Sequence, residues 1–332
     1  MAINQKPGKL SMIVSAIMAA ALAAQGHSAR KHPAPPVTKP TAAAQFTSYT
    51  DDFAKFADET ATLPEAERVR LFHERFSPLA GGFYGPRDRD AAKVDASIAS
   101  ALKTFPAIRV RYTAAAPNFA QAFATGQVRF RKTFPDYRLT MPVYLVHSLG
   151  EMDGGTRDLQ GRTVAVFGAD VIARIHDETT IPPFLDHELF HLYHAQYFPG
   201  CDALWCGLWE EGMAVYVAAR MNPGATDRQL LLTIPVPIRA AVDPHLAEAM
   251  CGLRAKLDAT ATDDKAPFFF MRPSKSPFPP RYGYYLGLLL AQKIGETMPL
   301  ADMAKLPPEK VRPLLDQALA SYGPCASAGP TG

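Results

Sequence analysis

The stretch Phe184 to Phe198, FLDHELFHLYHAQYF, limits what this chain can fold into more than any other. His187, Glu188 and His191 form an H-E-x-x-H pattern within it. On an α-helix, positions i and i+4 lie on one face a turn apart, so two imidazoles at this spacing can converge on a single metal ion. Glu188 is offset from them, which leaves its carboxylate free to act as a base beside that ion. Pro182 and Pro183 suit a first helical turn, and Pro199 with Gly200 suits an end. Leu185, Leu189, Phe190 and Leu192 supply apolar contacts, so the expectation is a buried, metal-presenting helix. His194 shares the face, at i+7 from His187 and i+3 from His191. Three ligands along one straight helix do not close a tetrahedron, which leaves His194 a hydrogen-bonding role behind the ligands or in the core.

A third ligand is expected on a second apolar helix, Leu208 to Ala218 (LWEEGMAVYVA), which carries two adjacent acids, Glu210 and Glu211. HELFH followed by WEEGMAVY resembles the gluzincin metallopeptidases, in which a glutamate preceding glycine on the next helix completes the zinc site. The likeness is nearest to small predicted zinc-protease families of unassigned substrate, on HELFHLYH, EGMAVY and the later GYYLG, and it spans roughly Met141 to Gly295. It implies one zinc ion held by His187, His191 and Glu211, with Glu188 as general base. Nineteen residues, 192 to 210, separate His191 from Glu211, where the aminopeptidase branch has eighteen and an asparagine in place of Glu210. Glu210 therefore stays open as a ligand. Glu211 is preferred on its E-G-x-A-x-Y context, and a one-residue insertion in the loop near Cys201 costs little.

Arg281 to Gly295, RYGYYLGLLLAQKIG, is expected as an apolar helix. Its Tyr284-x-x-Gly287 is similar to the aminopeptidase segment whose tyrosine steadies an oxyanion, a role a protonated phenol suits. Tyr282 and Tyr285 are alternatives, and Arg281 meets either a substrate carboxylate or water. In the resembled enzymes the strand beside the zinc helix has an exposed edge that pairs with extended peptide, and Val164 to Phe167 is the segment chosen for that edge.

The remaining chain sets the frame. Residues 1 to 29 carry Lys6 and Lys9, an apolar run from Leu10 to Ala24 and then small residues, the layout of a secretory signal peptide. The run is shorter than the ~20 residues of a membrane span, so no stable span is expected after its removal. Residues 30 to 45 form a Pro/Ala-rich linker, and 46–332 a single metallopeptidase-like domain, with a helical part at 46–134 and a catalytic part at 135–322. Removing the two lysines of the leader takes the formal charge from +3 to +1, which does not suit nucleic acid. The cluster Arg129, Arg131 and Lys132 is read as a solvated helix face, and His73 as an ordinary histidine. Helices are expected from Gln45 onward, at Ala91 to Phe105, Asn118 to Phe134, Asp227 to Ile234, Pro237 to Leu257 and Pro307 to Tyr322. Strands are expected at Met141 to His147 and Arg162 to Phe167, with a loop through Asp153, Gly154 and Gly155, and a further loop at Phe268 to Pro280. Four cysteines in an exported chain suggest disulfides, with Cys201–Cys206 and Cys251–Cys325 as the first choice.

Together these give an α+β fold, mainly helical, with a small sheet beside the zinc helix. The function expected is a periplasmic or secreted zinc hydrolase, a metallopeptidase acting on peptide or protein. The alternatives are a zinc hydrolase of a non-peptide amide or ester, or a binding protein on the same fold. The absence of a G-x-M-E-N segment tells against an aminopeptidase proper.

Overall fold

Residues 91 to 133 carry apolar side chains in a seven-residue rhythm, with Ile98, Phe105, Tyr112 and Phe119 in one row and Leu102, Ala116, Phe123 and Phe130 in another. All of these are buried. In the computed structural model, which describes residues 46–85, 90–199, 201–272 and 274–325, this stripe forms one helix of 43 residues, Ala91–Thr133. Two separate helices were expected because Pro106 and Pro117 punctuate the stretch. Both prolines lie on the exposed face, and the unbroken buried stripe offsets the roughly 3 kcal/mol that each costs inside a helix. The expected signal peptide and linker lie outside the described residues.

The described elements run in order β1 (Phe46–Ser48), α1 (Thr50–Glu59), α2 (Glu65–Phe76), α3 (Ala91–Thr133), β2 (Val143–Val146), β3 (Thr156–Leu159), β4 (Arg162–Gly168) and α4 (Ala169–Ile175). There follow α5 (Ile181–His194), α6 (Leu204–Met221), α7 (Ile238–Val242), α8 (Leu246–Lys256), α9 (Thr262–Phe269), α10 (Tyr282–Gly295), α11 (Leu300–Met303) and α12 (Pro308–Ala320). The fold is α+β, largely helical, with one four-stranded sheet ordered β1-β2-β4-β3. β1 and β4 run parallel to β2, and β3 is antiparallel to β4.

Several expectations are corrected here. Phe46 opens a strand and not a helix, because its ring packs on Phe119 and Phe123 of α3 beside the sheet. Val164 to Phe167 is not an edge: β4 is flanked by β2 and β3, and all four of these residues are buried. The edge on that side is β3, whose polar TRDL sequence hid it within an expected loop. The β3–β4 turn through Gln160 and Gly161 has positive φ at both residues, 51° and 76°, as a two-residue hairpin requires. Asp227 to Ile234 is a series of turns, and Pro237 to Leu257 is split into α7, a 3₁₀ turn at Asp243–His245 and α8. The start of the expected loop at Phe268 belongs to α9. Arg129 is only partly solvated. Its guanidinium donates to Asp186 at 2.6 Å and to the Pro182 carbonyl at 3.2 Å, tying α3 to the start of α5, whereas Arg131 and Lys132 are exposed as expected.

The site is positioned by α5, α6 and α10. A Cβ built on Gly212 of α6 would lie 2.4 Å from the Gly287 backbone carbon of α10, and one on Gly287 would lie 2.6 Å from the Leu208 carbonyl oxygen. The two backbones therefore touch, an approach that only glycine permits. One turn earlier on α10, a Cβ on Gly283 would lie 2.7 Å from the Phe268 carbonyl oxygen of α9. Cysteines 201 and 206 bridge the loop into α6, with Cα atoms 5.6 Å apart, and Cys251 bridges to Cys325 with Cα atoms 5.5 Å apart. Among the described residues no helix is long and apolar enough to cross a membrane.

Gly212→Ala forces α6 and α10 apart, since the neighbouring atoms are backbone and cannot rotate away. The expected cost is about 1–3 kcal/mol, the range for an overpacked core. Urea denaturation of the metal-free protein measures it, and an unchanged midpoint would refute the close crossing.

Candidate metal centre

α5 enters the core with Asp186 fully buried, and Arg129 and the Asn222 side chain donate to the same carboxylate oxygen at 2.6 and 2.7 Å. Burial still raises the Asp186 pKa against these two partners. This anchor fixes the rotation of α5, so that His187, Glu188 and His191 face a cavity of about 290 Å³ between α5, α6, α10 and the β3 edge. The rings of His187 and His191 lie 4.7 Å apart, with their Nε2 atoms 3.0 Å from each other. Glu211 Oε2 approaches from α6, 3.3 Å from the Nε2 of His187 and 3.5 Å from that of His191.

These three separations can be compared with the edges of a coordination tetrahedron. Ligand bonds of 2.0–2.2 Å to zinc place neighbouring ligand atoms about 3.3 Å apart, and the three edges here bracket that value. Glu211 Oε2 is buried and no donor among the described residues is aligned on it. Two imidazole nitrogens and one carboxylate oxygen facing each other in this way suit a cation between them. The residues thus fit a metal ion, and the donor set of two nitrogens and one oxygen is one that zinc accepts.

Electrostatics agree with that geometry. For Glu211, burial acts upward but is outweighed by His191 and His187, which hold its carboxyl well below the usual range. For His191, burial acts downward and is outweighed by Glu211, which lifts it to about 9. Burial keeps His187 below its ordinary value and so neutral near pH 7. A cation placed between these groups would compete with protons for the same nitrogen and oxygen atoms.

Glu188 lines the same cavity outside the ligand set. Burial pushes its carboxyl up to about 8, and a dication nearby would pull it back down by Coulomb attraction. Its side chain has room because residue 154 is glycine: a Cβ there would lie 3.0 Å from the Glu188 carboxyl carbon. Glu210 also lines the cavity, pushed up to about 7 by burial, but it does not join the group whose ligand atoms all lie within 4.8 Å. The geometry selects Glu211 over Glu210.

Of the three tyrosines only Tyr284 lines the cavity. Its ring lies 6.4 Å from that of His187 with the planes 18° apart, and burial holds the phenol well above its ordinary pKa, so it stays a donor. Tyr282 stacks on Phe268 at 4.6 Å, and Tyr285 donates to Asp243 at 2.5 Å while accepting from Arg239 at 3.1 Å. Arg281 does not face open water; it is 7% exposed and lines the cavity. His194 is buried, bonded through Nδ1 to the Ala304 carbonyl at 2.8 Å and stacked between Phe190 and Phe198. Its distance from the ligand role follows from that carbonyl bond. His73 pairs with Asp95 at the surface.

Asp153 and Gly154 escaped the sequence reading, because a D-G-G run reads as an ordinary turn. Asp153 is buried on the cavity wall with its carboxylate 3.6 Å from His176 Nε2. The missed signal was the pair of adjacent glycines ahead of a strand, a place where backbone comes close to something else. The chain matches no protein-family model, no curated protein and no solved structure.

Two predictions follow from this geometry. Glu211→Gln weakens metal retention far more than Glu210→Gln, read as zinc content after dialysis; the reverse order would move the ligand to Glu210. The second concerns pH. Burial lowers the His194 pKa to about 4, so the folded state takes up this proton only well below the ~6.5 of an unfolded chain. Stability is therefore lost as pH falls from about 6.5 toward 4, by about 3 kcal/mol for this group. His194→Asn keeps a donor for Ala304 and removes the titration. Its stability, measured by urea denaturation, should fall less steeply between pH 7 and pH 5 than that of the parent; parallel slopes would exclude the assignment.

Proposed function

We propose that this chain is an exported zinc-dependent hydrolase, a metallopeptidase similar to the gluzincins. The observation that carries the reading is the separation of roles within one cavity: three ligand atoms, from two histidines and Glu211, face one point, while a second acid, Glu188, stands beside them and outside the set. A purely structural metal site uses its acids as ligands and closes its fourth position with protein. Two disulfides support an oxidising compartment, and the leader-like first 29 residues support export.

Bound zinc would supply Lewis acidity, lowering the pKa of a coordinated water toward ~7 and polarising the scissile carbonyl. His187, His191 and Glu211 would hold it. Glu188 accepts the proton of the attacking water, and its partial removal from water raises its basicity for that step. The same carboxyl then delivers that proton to the leaving amine. Tyr284 remains protonated and donates a hydrogen bond to the oxygen on which negative charge develops. An extended peptide is a suitable substrate because the outermost strand of the described sheet, β3, borders the cavity through Thr156 and Arg157. Its backbone groups can pair with a chain of any sequence.

The test separates catalysis from metal binding. Glu188→Gln keeps near-stoichiometric zinc and loses about 10² to 10⁴ in rate on a peptide library, the usual cost of removing a general base. Tyr284→Phe also keeps zinc and loses about 10² to 10³. Loss of zinc from Glu188→Gln would make that residue a ligand and end this mechanism; full activity would place the chemistry elsewhere.

A further inference from the structure

Arg281 has the burial of a core residue and the charge of a binding residue. It adopts the left-handed backbone conformation at φ 69°, immediately before α10, an arrangement that a non-glycine residue takes only at a cost. That turn directs the side chain inward. One terminal nitrogen, Nη1, donates to the carbonyls of Leu231 and Ile234, each at 3.2 Å. The Cζ atom lies 4.4 Å over the Tyr284 ring. Nε is buried and has no acceptor among the described residues, and no ion pair joins the group to any described carboxylate. Asp153, on the same wall, has its carboxylate 3.6 Å from His176 Nε2 and acts on Arg281 through space without forming an ion pair with it. Other arginines turned toward buried or half-buried acids hold a carboxylate: Arg129 holds Asp186, Arg157 holds Glu151 and Arg239 holds Asp227.

A guanidinium that is 93% covered and forms no ion pair with a described carboxylate is costly, since two neutral carbonyls, the Tyr284 hydroxyl and the more distant charge of Asp153 only partly replace the water it has lost. The guanidinium lines the cavity that also holds Glu188, His187, His191 and Glu211. Resting on the peptidase reading above, we infer that Arg281 is the receptor for a carboxylate on the substrate.

The position of that carboxylate follows from two spacings. The guanidinium stands 4.4 Å from the Tyr284 ring, and that ring stands 6.4 Å from His187, so the span from Arg281 to the ligand ring is at most about 11 Å. An extended chain covers roughly 3.3–3.6 Å per residue. The recognised carboxylate therefore lies within about three residues of the bond that is cut. Either the C-terminus of a peptide or the side chain of an acidic residue meets that description, and both present the planar pair of oxygens that a guanidinium matches.

Zinc-loaded Glu188→Gln protein, which binds without cutting, distinguishes the sources by fluorescence anisotropy. Three fluorescein-labelled pentapeptide pools are compared: free-acid peptides lacking Asp and Glu, the same peptides as C-terminal amides, and amides with one Glu placed at each position in turn. One carboxylate-bearing pool is expected to bind on the order of tenfold to a hundredfold tighter than the neutral amides, the worth of one charge-assisted contact. Preference for the acid pool assigns the C-terminus, and preference for the Glu pool assigns a side chain. Adding Arg281→Gln should bring the ratio to about one, and Arg281→Lys should keep part of it. Equal binding of the three pools overturns the assignment while leaving the peptidase reading intact, and so does a preference that survives Arg281→Gln. Failure of every pool to bind removes the peptide reading and this assignment together. The pool comparison itself needs no Arg281 variant, so it decides even where loss of the guanidinium unfolds the turn.

Discussion

The contact between Gly212 and Gly287 governs the geometry of the whole centre. Glu211 precedes one glycine and Tyr284 lies one turn before the other, so the crossing of α6 and α10 fixes the ligand and the hydroxyl relative to each other. Side chains at the crossing would push the helices toward the usual 8–10 Å axial separation. The carboxylate would then withdraw from the two imidazoles, whose own spacing is set within α5 and would not follow. E-G and Y-x-x-G are thus two halves of one packing device.

The centre concentrates ionisable groups that would destabilise an ordinary core. Glu188, Glu210, Glu211 and Asp153 share one cavity wall with His187, His191 and Arg281. Burial drives Glu188 and Glu210 toward neutrality, while Glu211 stays ionised through its two histidines. A ligand that binds only the folded state adds stability in proportion to the logarithm of its concentration over its dissociation constant. A dication at this point would therefore stabilise the fold by satisfying Glu211 Oε2.

What the sequence disclosed depended on how local each constraint is. His187 and His191 were legible because four residues of α-helix bring them together whatever surrounds them. The choice between Glu210 and Glu211 was not, since neighbours on a helix point about 100° apart and only the rotation of α6 about Gly212 selects one of them. Tyr284 stands in the same case among Tyr282, Tyr284 and Tyr285. Arg281 was ambiguous because its direction comes from a left-handed turn and from carbonyls about 50 residues earlier. Arg129 was misread because its partner, Asp186, lies 57 residues away. The edge strand was misplaced for a different reason: TRDL lacks the apolar alternation of a strand, whereas the buried RTVAVF has the β-branched character of one and sits in the sheet interior.

The spacing between His191 and Glu211 shows which part of such a site is free to vary. The end of the connection from α5 to α6 is joined to the first turn of α6 by the Cys201–Cys206 bridge, and Leu204 and Trp205 at the start of α6 donate to the Ala259 and Leu257 carbonyls beyond α8. These tethers hold the N-terminus of α6 from outside the loop, while the glycine crossing holds its middle. An added residue in the loop is then absorbed before Leu204, because neither tether depends on the number of residues that precede it. A pattern written as a fixed count between H-E-x-x-H and glutamate describes the loop, whereas the ligand's position is set by what α6 packs against.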